Sequence, residues 1–431
     1  TFYPFAGVAV GTNGAEKQET VREDYTVESC RLYFSRIEMM VATTDILSRI
    51  ALPGVLLLTL TKVIPYFYPI PDNVYYAVFL VLFIWFVLRG GLKISYTYIP
   101  FLVALFISIW VNEIPAYFKV WFRVLAFLSV VFAVGPFFIN PYMVTWRRLL
   151  FVYVLAVIRW IVIISFFAWA FRLPFVHGYS GFRGLTNQSM LLGPLAGISM
   201  VYSLYRFYLS SGICERYKQI GITVISFAVL LLAGSRAALA SSVMAVAFFY
   251  SRIYRHRVER LARLVFMLAI LAVLTAGIWW PYTERIRSKM EGGKIAGSLT
   301  RSRDDLWDAR MTEFKGFPIF GVGFATVKPD YAKTNKVNLE TGTIEPGSSW
   351  LFLLSSMGIT GFLAFFIPYL SFMYRMFQRE SVGINGYFLG SLLFLFFFHL
   401  FFEGYVVSSG AYLCFFLWLL LSECNKVINV K

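Results

Sequence analysis

The sequence predicts an all-α integral membrane protein of about twelve transmembrane helices, with one long extracytoplasmic loop that contains short helices. Hydrophobic residues make up 59% of the 431 positions and charged residues only 14%, which is far from the balance of a soluble globular chain. Apolar runs long enough for a helix to cross the hydrocarbon core recur along the chain. Examples are VYYAVFLVLFIWFVL from Val74 and GSLLFLFFFHLFF from Gly390.

The apolar runs give the positions of the predicted spans, by the length that a helix needs to cross a bilayer. Spans one to nine lie within residues 39–280, and spans ten to twelve lie within residues 348–431, ahead of a cytoplasmic C-terminus. In chain order the spans are 46–64, 73–88, 97–112, 120–138, 149–171, 189–206, 219–234, 237–251, 263–280, 348–373, 385–402 and 405–422.

Basic residues fall in every second loop between these spans. By the positive-inside rule those loops are cytoplasmic, which places both termini inside. The net charge of +16 is spread over short loops and forms no single patch, so it predicts topology and contact with anionic membrane lipids, and no nucleic-acid partner. The residues that define this alternation are Arg89, Lys93, Arg147, Arg148, Arg206, Arg216, Lys218, Arg252, Arg255, Arg257, Arg260, Arg263, Arg375, Arg379, Lys426 and Lys431.

Within the first 38 residues, the stretch GTNGAEKQETVREDYTVESCRLYFSR is polar and contains no hydrophobic segment of a cleaved signal peptide. Hydrophobic character begins after Met39 and Met40, so we expect residues 1–38 to lie upstream of the native start or to be non-native. The four cysteines show no C-x-x-C spacing, and neither H-E-x-x-H nor a phosphate-binding or dinucleotide-binding loop occurs. The sequence therefore predicts no metal site and no cofactor.

Residues 281–347 form one long loop, predicted to be periplasmic. Its centre has the spacing of an amphipathic helix, because Arg303, Trp307, Arg310 and Phe314 recur on one helical face and Ser302 precedes Asp305 at capping-box spacing. The stretch FPIFGVGF then supplies the proline and glycines of a turn. Long loops without a function are uncommon, so this loop is the first place to look for a site.

Several arginines face the same side of the membrane as the long loop. Arg236 in GSRAALASS lies at the outer end of the seventh span, and Arg183 in GFRGLTNQS precedes the sixth. For any one of them, extension of the side chain to the lipid headgroups is the simpler explanation. The set of five, which is Arg183, Arg236, Arg301, Arg303 and Arg310, favours an anionic ligand, because the guanidinium fork suits bidentate binding of phosphate.

Four stretches between about residues 180 and 365 resemble segments of the bacterial O-antigen polymerase and O-antigen ligase family. LLLAGSRAALASSVMAV is similar to the family's S-R-x-x-x-L segment, and RSRDDLWDARMTEFKGFPIFGVGF to its R-x-x-x-W and P-x-x-G-x-G turn. GFRGLTNQSMLLGP resembles the loop before the sixth span, and GSSWLFLLSSMGITGF resembles the start of the span that follows the long loop.

The resemblance implies a metal-independent glycosyltransferase of lipopolysaccharide biosynthesis in the bacterial inner membrane. Its donor and acceptor would be oligosaccharides linked to undecaprenyl diphosphate at the periplasmic face, with a chain-length regulator as a further candidate partner. Arg183, Arg236 and Arg303 match arginines of the family that would hold the diphosphate. Trp307 and Arg310, which also lie in the long loop, are further expected substrate-binding residues. Arg236 would also be catalytic, because it would stabilise the negative charge on the leaving group.

One departure from the family bears on the branch. The ligases carry a histidine followed by asparagine where this chain has Gly347 and Ser348, so the resemblance favours a polymerase. Glu345 is the candidate catalytic base, because an ionised carboxylate can accept a proton from a sugar hydroxyl. Solvation of the loop is the alternative role for Glu345, and more so for the nearby Glu340.

His399 and Glu403 lie four residues apart, on one face of a helix, in the stretch HLFFEG. An ionisable pair in a membrane is a functional hypothesis, so Glu403 joins the expected substrate-binding residues. A structural pair that bridges helices is equally compatible with the spacing.

Two other functions stay open: a ligase that transfers finished glycan to a lipid core or a protein, and a flippase of lipid-linked oligosaccharide, which would show two similar halves.

Overall fold

The computed structural model describes residues 46–178, 181–295, 301–328, 338, 340, 342–378 and 383–429. The expectation for residues 1–38 therefore lies outside the described residues. Within the described ranges the chain is almost entirely helical, and its one sheet is a hairpin of two antiparallel strands, β1 (His177–Gly178) and β2 (Gly181–Phe182). The predicted all-α class is confirmed.

The described residues form fifteen α-helices, joined by short 3-10 turns. In chain order they are α1 (Ile46–Leu60), α2 (Asp72–Gly90), α3 (Ile99–Trp110), α4 (Val120–Val134), α5 (Pro141–Ala170), α6 (Ser189–Leu209), α7 (Ile213–Ala233), α8 (Arg236–Ile253), α9 (Val258–Leu274), α10 (Ala276–Trp279), α11 (Glu284–Ile295), α12 (Arg301–Gly316), α13 (Ser349–Gln378), α14 (Gly383–His399) and α15 (Tyr412–Asn429).

Each of the predicted spans overlaps a helix, which supports a multi-pass membrane protein. Within the described ranges, five helical segments are long and apolar enough to cross a bilayer, and the number twelve stays a prediction. The five are Asp72–Gly90, Ala116–Val134, Pro141–Ala170, Ile213–Ala233 and Ser349–Gln378; shorter apolar helices cover Ile50–Leu60, Tyr96–Trp110 and Gly383–His399.

Two predicted boundaries are wrong by seven or eight residues. The fifth span was placed at 149, but α5 begins at Pro141, because the Asn140 side chain accepts a hydrogen bond from the Tyr142 N–H and caps the helix. Arg147 is therefore not a loop residue but is 1% exposed inside the bundle. The last span begins at Tyr412 and not at 405, because residues 400–411 form turns.

Aromatic rings fill the centre of the bundle between α3, α4, α13 and α15. The Trp418 ring lies 5.4 Å from Tyr98, 5.6 Å from Phe365 and 5.7 Å from Phe127, centroid to centroid. Its Nε1 donates to the Val406 carbonyl at 3.0 Å. Such ring pairs add packing energy beyond the area they bury, and here they fix the helices that carry the loops.

Helices α8 and α14 pack antiparallel, and this defines two ends of the bundle. Ser242 and Leu395 both approach Gly197, and the Phe248 and Phe394 rings stack at 4.3 Å. The start of α8 therefore lies at the same end as the finish of α14. We call this the loop end; it carries the strands β1 and β2, the turn 234–235, the described parts of the long loop (281–295, 301–328 and 342–347) and the turns 400–411. The opposite end carries the start of α5 and the finishes of α6 and α15.

Helix α13 is broken at Gly358, where φ is 66° and ψ is −169°. The predicted FPIFGVGF turn lies against this break. The Val322 N–H donates to the Ser355 carbonyl at 2.9 Å, and the Ile359 N–H donates to the Pro318 carbonyl at 2.8 Å. Non-helical backbone at membrane depth is tolerated only where protein or water satisfies it, so the turn supplies the hydrogen bonds that the break removes.

Candidate active site

Arg236 is the first residue of α8, directly after a tight turn. Gly234 ends α7 in the left-handed conformation, with φ 62°, and the Ser235 side chain accepts a hydrogen bond from the Ala238 N–H at 3.3 Å. This is a glycine C-cap followed at once by a serine N-cap. The half-buried Arg236 is thereby held at a helix N-terminus, where the backbone dipole also favours an anion.

Two basic side chains from α11 join Arg236 at this turn. The Lys289 Nζ donates to the Gly234 carbonyl at 3.1 Å, and Arg236 Nη1 donates to the Lys289 carbonyl at 3.5 Å. The Arg285 side chain passes between the turn and the hairpin, in space that only glycine leaves open. A Cβ atom added to Gly234 would lie 2.9 Å from Arg285 Cδ, and a Cβ atom added to Gly181 would lie 1.3 Å from Arg285 Nη1. We call Arg236, Arg285 and Lys289 the basic cluster.

The basic cluster is electrostatically unfavourable by itself. Burial lowers the pKa of Lys289, and the charges of Arg285 and Arg236 lower it further; burial also lowers the pKa of Arg285. In the part of the chain that the structure describes, none of the three forms a salt bridge, and the buried Nη1 of Arg285 meets no hydrogen-bond acceptor. Cations held together in this way are suited to a polyanionic ligand.

Arg303 and Glu403 form an ion pair at the loop end, with Arg303 Nη2 2.5 Å from Glu403 Oε1. Arg303 Nη1 also donates to the Gly347 carbonyl at 3.2 Å. The pair joins α12 to the start of α13 and to the turn after α14. In the family resemblance Gly347 stands where the ligases have the histidine, and the hydrogen bond from Arg303 to its carbonyl places the ion pair next to this position.

Glu403 has an unusual acidity. Burial raises the pKa of its carboxyl from 4.5 to about 7; the Arg303 charge lowers this pKa and the Glu345 charge raises it. We call Glu345 and Glu403 the acidic pair. The Ser349 hydroxyl donates to the Glu403 carbonyl at 2.8 Å, which fixes the backbone of this residue. A carboxyl group with a pKa near 7 is matched to proton transfer at neutral pH.

His399 does not pair with Glu403, so that interpretation of their spacing is wrong. The fully buried His399 ring has its Nδ1 3.0 Å from the Tyr405 hydroxyl, whereas Glu403 faces Arg303. Helix α14 ends at His399, and residues 400–402 form turns. A four-residue spacing places two side chains on one face only while the helix continues.

Arg310 lies in a buried ion pair with Glu313, at 2.8 Å, and the two side chains are 1% and 0% exposed. Burial lowers the pKa of Arg310 and raises that of Glu313, and Glu313 Oε1 also accepts a hydrogen bond from the Lys328 N–H at 2.8 Å. This arrangement stabilises the loop. We therefore leave Arg310 out of the proposed site, although its part in substrate binding stays a prediction.

The remaining predicted residues also lie at the loop end. Arg183 Nη2 donates to the Tyr66 hydroxyl at 3.0 Å, next to the hairpin. The Trp307 ring lies 6.1 Å from that of Phe402, and its buried Nε1 meets no acceptor in the described ranges. Trp307 is thus placed one helical turn beyond Arg303 on α12, with an indole N–H that a ligand could use.

Arg285 and Lys289 are absent from the residues predicted from the sequence. Their spacing of four places both on one face of a helix, and that signal was available in ERIRSKMEGG. The sequence does not show that this face approaches Gly234 and Gly181.

Within the described ranges, no group of three or more His, Cys, Asp or Glu side chains could hold a metal ion.

The fold and the site define a multi-pass membrane protein with a basic cluster and an acidic pair at one end of its helix bundle. Residues 221–366 match the sequence model of the family described as O-antigen ligase. This segment is about a third of the chain; it contains the basic cluster, Arg303, Trp307 and Glu345, and ends before Glu403.

The match confirms, over this segment, the resemblance to the O-antigen polymerase and ligase family, and it does not distinguish the two branches. At the family level it supports glycosyl transfer of the O-antigen ligase or polymerase type, with lipid-linked glycans as substrates. No curated protein matches the chain.

Proposed function

We propose that the protein is a polysaccharide polymerase of the O-antigen type. It transfers a glycan from undecaprenyl diphosphate to a sugar hydroxyl of another lipid-linked repeat unit, at the periplasmic face of the bacterial inner membrane. The observation that carries this proposal is the basic cluster of Arg236, Arg285 and Lys289, held at the same end of the bundle as the Arg303–Glu403 pair. A lipid diphosphate is the polyanion that a membrane offers to such a cluster.

The basic cluster would act on the leaving group. As the bond between the anomeric carbon and the diphosphate oxygen breaks, negative charge builds up on the diphosphate. Fixed cations stabilise that charge more strongly in the transition state than in the ground state, and in a partly buried site they are screened less than in water. In this proposal protein cations carry out the charge stabilisation, and no metal ion is required.

The acidic pair would act on the acceptor. The attacking sugar hydroxyl loses its proton as the new glycosidic bond forms. We assign Glu403 as the group that accepts this proton, because its carboxyl, with a pKa of about 7, is partly ionised at neutral pH. Arg303 orients the carboxylate through the 2.5 Å contact. Glu345 is the second candidate for the base, and its charge adds to the effect of burial in raising the pKa of Glu403.

The ligase is the second candidate, favoured by the description of the matching family. Gly347 and Ser348 at the position of the ligase histidine favour the polymerase. The flippase is the more distant alternative.

A gel of cell-surface glycan from a strain that lacks this gene, beside its parent, tests the proposal. A ladder that collapses to a single repeat unit supports a polymerase. Loss of even that band, with lipid-linked units accumulating on the periplasmic side, would indicate a ligase, and accumulation on the cytoplasmic side would indicate a flippase. Restoration of the ladder by the gene in trans is the control.

A further inference from the structure

We propose that Ser349 is the positioning residue of Glu403: it fixes the turn that carries this carboxyl and so keeps the carboxyl in contact with Arg303. The inference deepens the proposed function and rests on it, because it concerns how the candidate base is held. Ser349 is the first residue of α13, and only 1% of its surface is exposed. It is therefore enclosed at the loop end, where α13 begins beside the turn that follows α14.

The Ser349 hydroxyl acts as both donor and acceptor toward this turn. It donates to the Glu403 carbonyl at 2.8 Å, and it accepts hydrogen bonds from the Tyr405 N–H at 3.0 Å and the Val406 N–H at 3.4 Å. The Ser349 N–H donates to the Leu400 and Glu403 carbonyls, at 2.9 and 3.1 Å. Because a turn lacks the repeating hydrogen bonds of a helix, its buried backbone groups need such partners. One serine supplies them on both sides of Glu403.

The neighbouring serine has a different set of partners. Ser348 is also 1% exposed. Its hydroxyl donates to the Leu400 carbonyl at 3.2 Å and accepts a hydrogen bond from the Leu351 N–H at 3.4 Å, so it caps α13. In the described ranges its side chain makes no hydrogen bond to Glu403. The two serines are thus alike in size and burial and differ in whether they hold the carboxyl-bearing residue.

A glycine contact fixes the same turn from another side. A Cβ atom added to Gly404 would lie 2.2 Å from Pro346 Cβ, so only glycine fits at this contact. Pro346 directly follows Glu345, and Arg303 Nη1 donates to the Gly347 carbonyl at 3.2 Å. Backbone contacts therefore hold the two members of the acidic pair, and Arg303, in one arrangement.

The ionisable groups that act on Glu403 come from three parts of the chain. Burial raises the pKa of Glu403, the Arg303 charge on α12 lowers it, and the charge of Glu345, ahead of α13, raises it. Burial also raises the pKa of Tyr405 in the same turn, and the Glu403 charge raises it further. Coulomb energies rise as the distance falls. A displacement of the Glu403 backbone would therefore weaken its 2.5 Å contact with Arg303 most.

The test is a double-mutant cycle on the pH profile of kcat/KM, measured with the purified full chain. Arg303→Gln should raise the midpoint of the wild-type profile, because the Arg303 charge lowers the pKa of Glu403. In a Ser349→Ala background the same substitution should move the midpoint roughly half as far or less, because the carboxylate is no longer held against Arg303. Ser349→Ala alone should lower kcat/KM about tenfold through the misplaced base.

Ser348→Ala is the matched control. It removes a buried serine hydroxyl one position away, so the melting temperature should fall, but the shift caused by Arg303→Gln should keep its full size. A full-size shift in the Ser349→Ala background as well would show that Ser349 contributes only to stability, which overturns the proposal. If the wild-type rate shows no midpoint near pH 7, the use of Glu403 in the proposed function is wrong, and the inference fails with it.

Hydrogen exchange of the wild-type chain needs no variant, so it decides even if Ser349→Ala does not fold. Overlapping peptides that contain Tyr405 and Val406 are followed by mass spectrometry. Both amides should exchange slowly, because both donate to the Ser349 hydroxyl. Exchange as fast as that of an unfolded chain at both positions would show that Ser349 does not hold the turn.

Discussion

The pH dependence of transfer is the sharpest consequence of the Arg303–Glu403 pair. If Glu403 accepts the proton, kcat/KM should rise with pH and level off above pH 7, because the pKa of its carboxyl is about 7. Arg303→Gln should move the midpoint of this profile to higher pH, since the Arg303 charge lowers the pKa. Glu345→Gln should move it to lower pH, since the Glu345 charge raises the pKa.

The size of the shift follows from the contact between Arg303 and Glu403. Two unit charges at about 4 Å interact with about 4 kcal/mol at the effective dielectric of a protein surface, and 1.4 kcal/mol corresponds to about one pH unit. The side chains are 13% and 21% exposed, at 2.5 Å, so water screens part of the interaction. We therefore expect Arg303→Gln to shift the midpoint by about one to three pH units, and Glu345→Gln to shift it less.

The pH dependence of stability reports on the same pKa of Glu403 without an activity measurement. The folded chain holds the Glu403 proton more tightly than the unfolded chain, whose carboxyl has the ordinary pKa of 4.5. Glu403 therefore contributes to the free energy of unfolding below pH 4.5, and this contribution is lost as the pH rises through about 7. Melting temperatures of the purified chain across this window should fall with pH, and in Arg303→Gln the fall should extend to higher pH.

The assay measures the initial rate of transfer from a lipid-diphosphate-linked oligosaccharide at about ten pH values from about 5.5 to about 10.5, a range that includes the shifted midpoints. Glu340→Gln is the control, because Glu340 is an exposed carboxylate in the same loop, and its loss should leave the profile in place. Midpoints that move in the same direction in Arg303→Gln and Glu345→Gln, or a profile unchanged in Glu403→Gln, would refute the role of Glu403.

Three other predictions concern the basic cluster and the broken helix. Arg236→Lys keeps the charge but loses the bidentate fork, so polymer formation should fall roughly ten- to hundredfold at normal protein abundance; wild-type polymer on a gel would assign Arg236 to lipid headgroups. Lys289→Gln removes one of three like charges, so the melting temperature without substrate should rise while KM rises about tenfold; an unchanged KM would contradict the anion site. Gly358→Ala forces an alanine into a conformation that costs about 1–3 kcal/mol and places its Cβ 2.2 Å from the Ile319 carbonyl oxygen, so the melting temperature should drop sharply; a wild-type melt would show that the break is not needed.

Hydropathy predicted the helices well, because apolar length is a property of the chain itself. It failed at Arg147, which looks like a loop residue in sequence. In the fold its guanidinium donates to three backbone carbonyls, of Phe132, Ala133 and Phe138, near the end of α4. A buried arginine and a loop arginine have the same sequence signature, and only the neighbouring helix end distinguishes them. The fifth span was therefore placed too late.

The site was predicted in part, for a similar reason. Arg236, Arg303 and Glu403 were found because they depart from the pattern of an apolar span or match a motif. Arg285 and Lys289 share one face of a polar helix, but basic residues are ordinary in such a helix, so their spacing of four did not by itself predict a site. Arg310 shows the converse: its place among five arginines on one side of the membrane predicted a ligand, but in the fold it forms a buried ion pair with Glu313, three residues on.

The most direct test of the central claim is a reconstituted reaction. The purified chain is placed in liposomes with a fluorescent, undecaprenyl-diphosphate-linked repeat unit, with a chelator present and no added divalent metal, and the products are separated by size. The proposed function predicts a ladder of longer lipid-linked glycans, with release of undecaprenyl diphosphate, and a loss of both in Arg285→Gln. Movement of the labelled lipid between leaflets without any change in glycan length would contradict it.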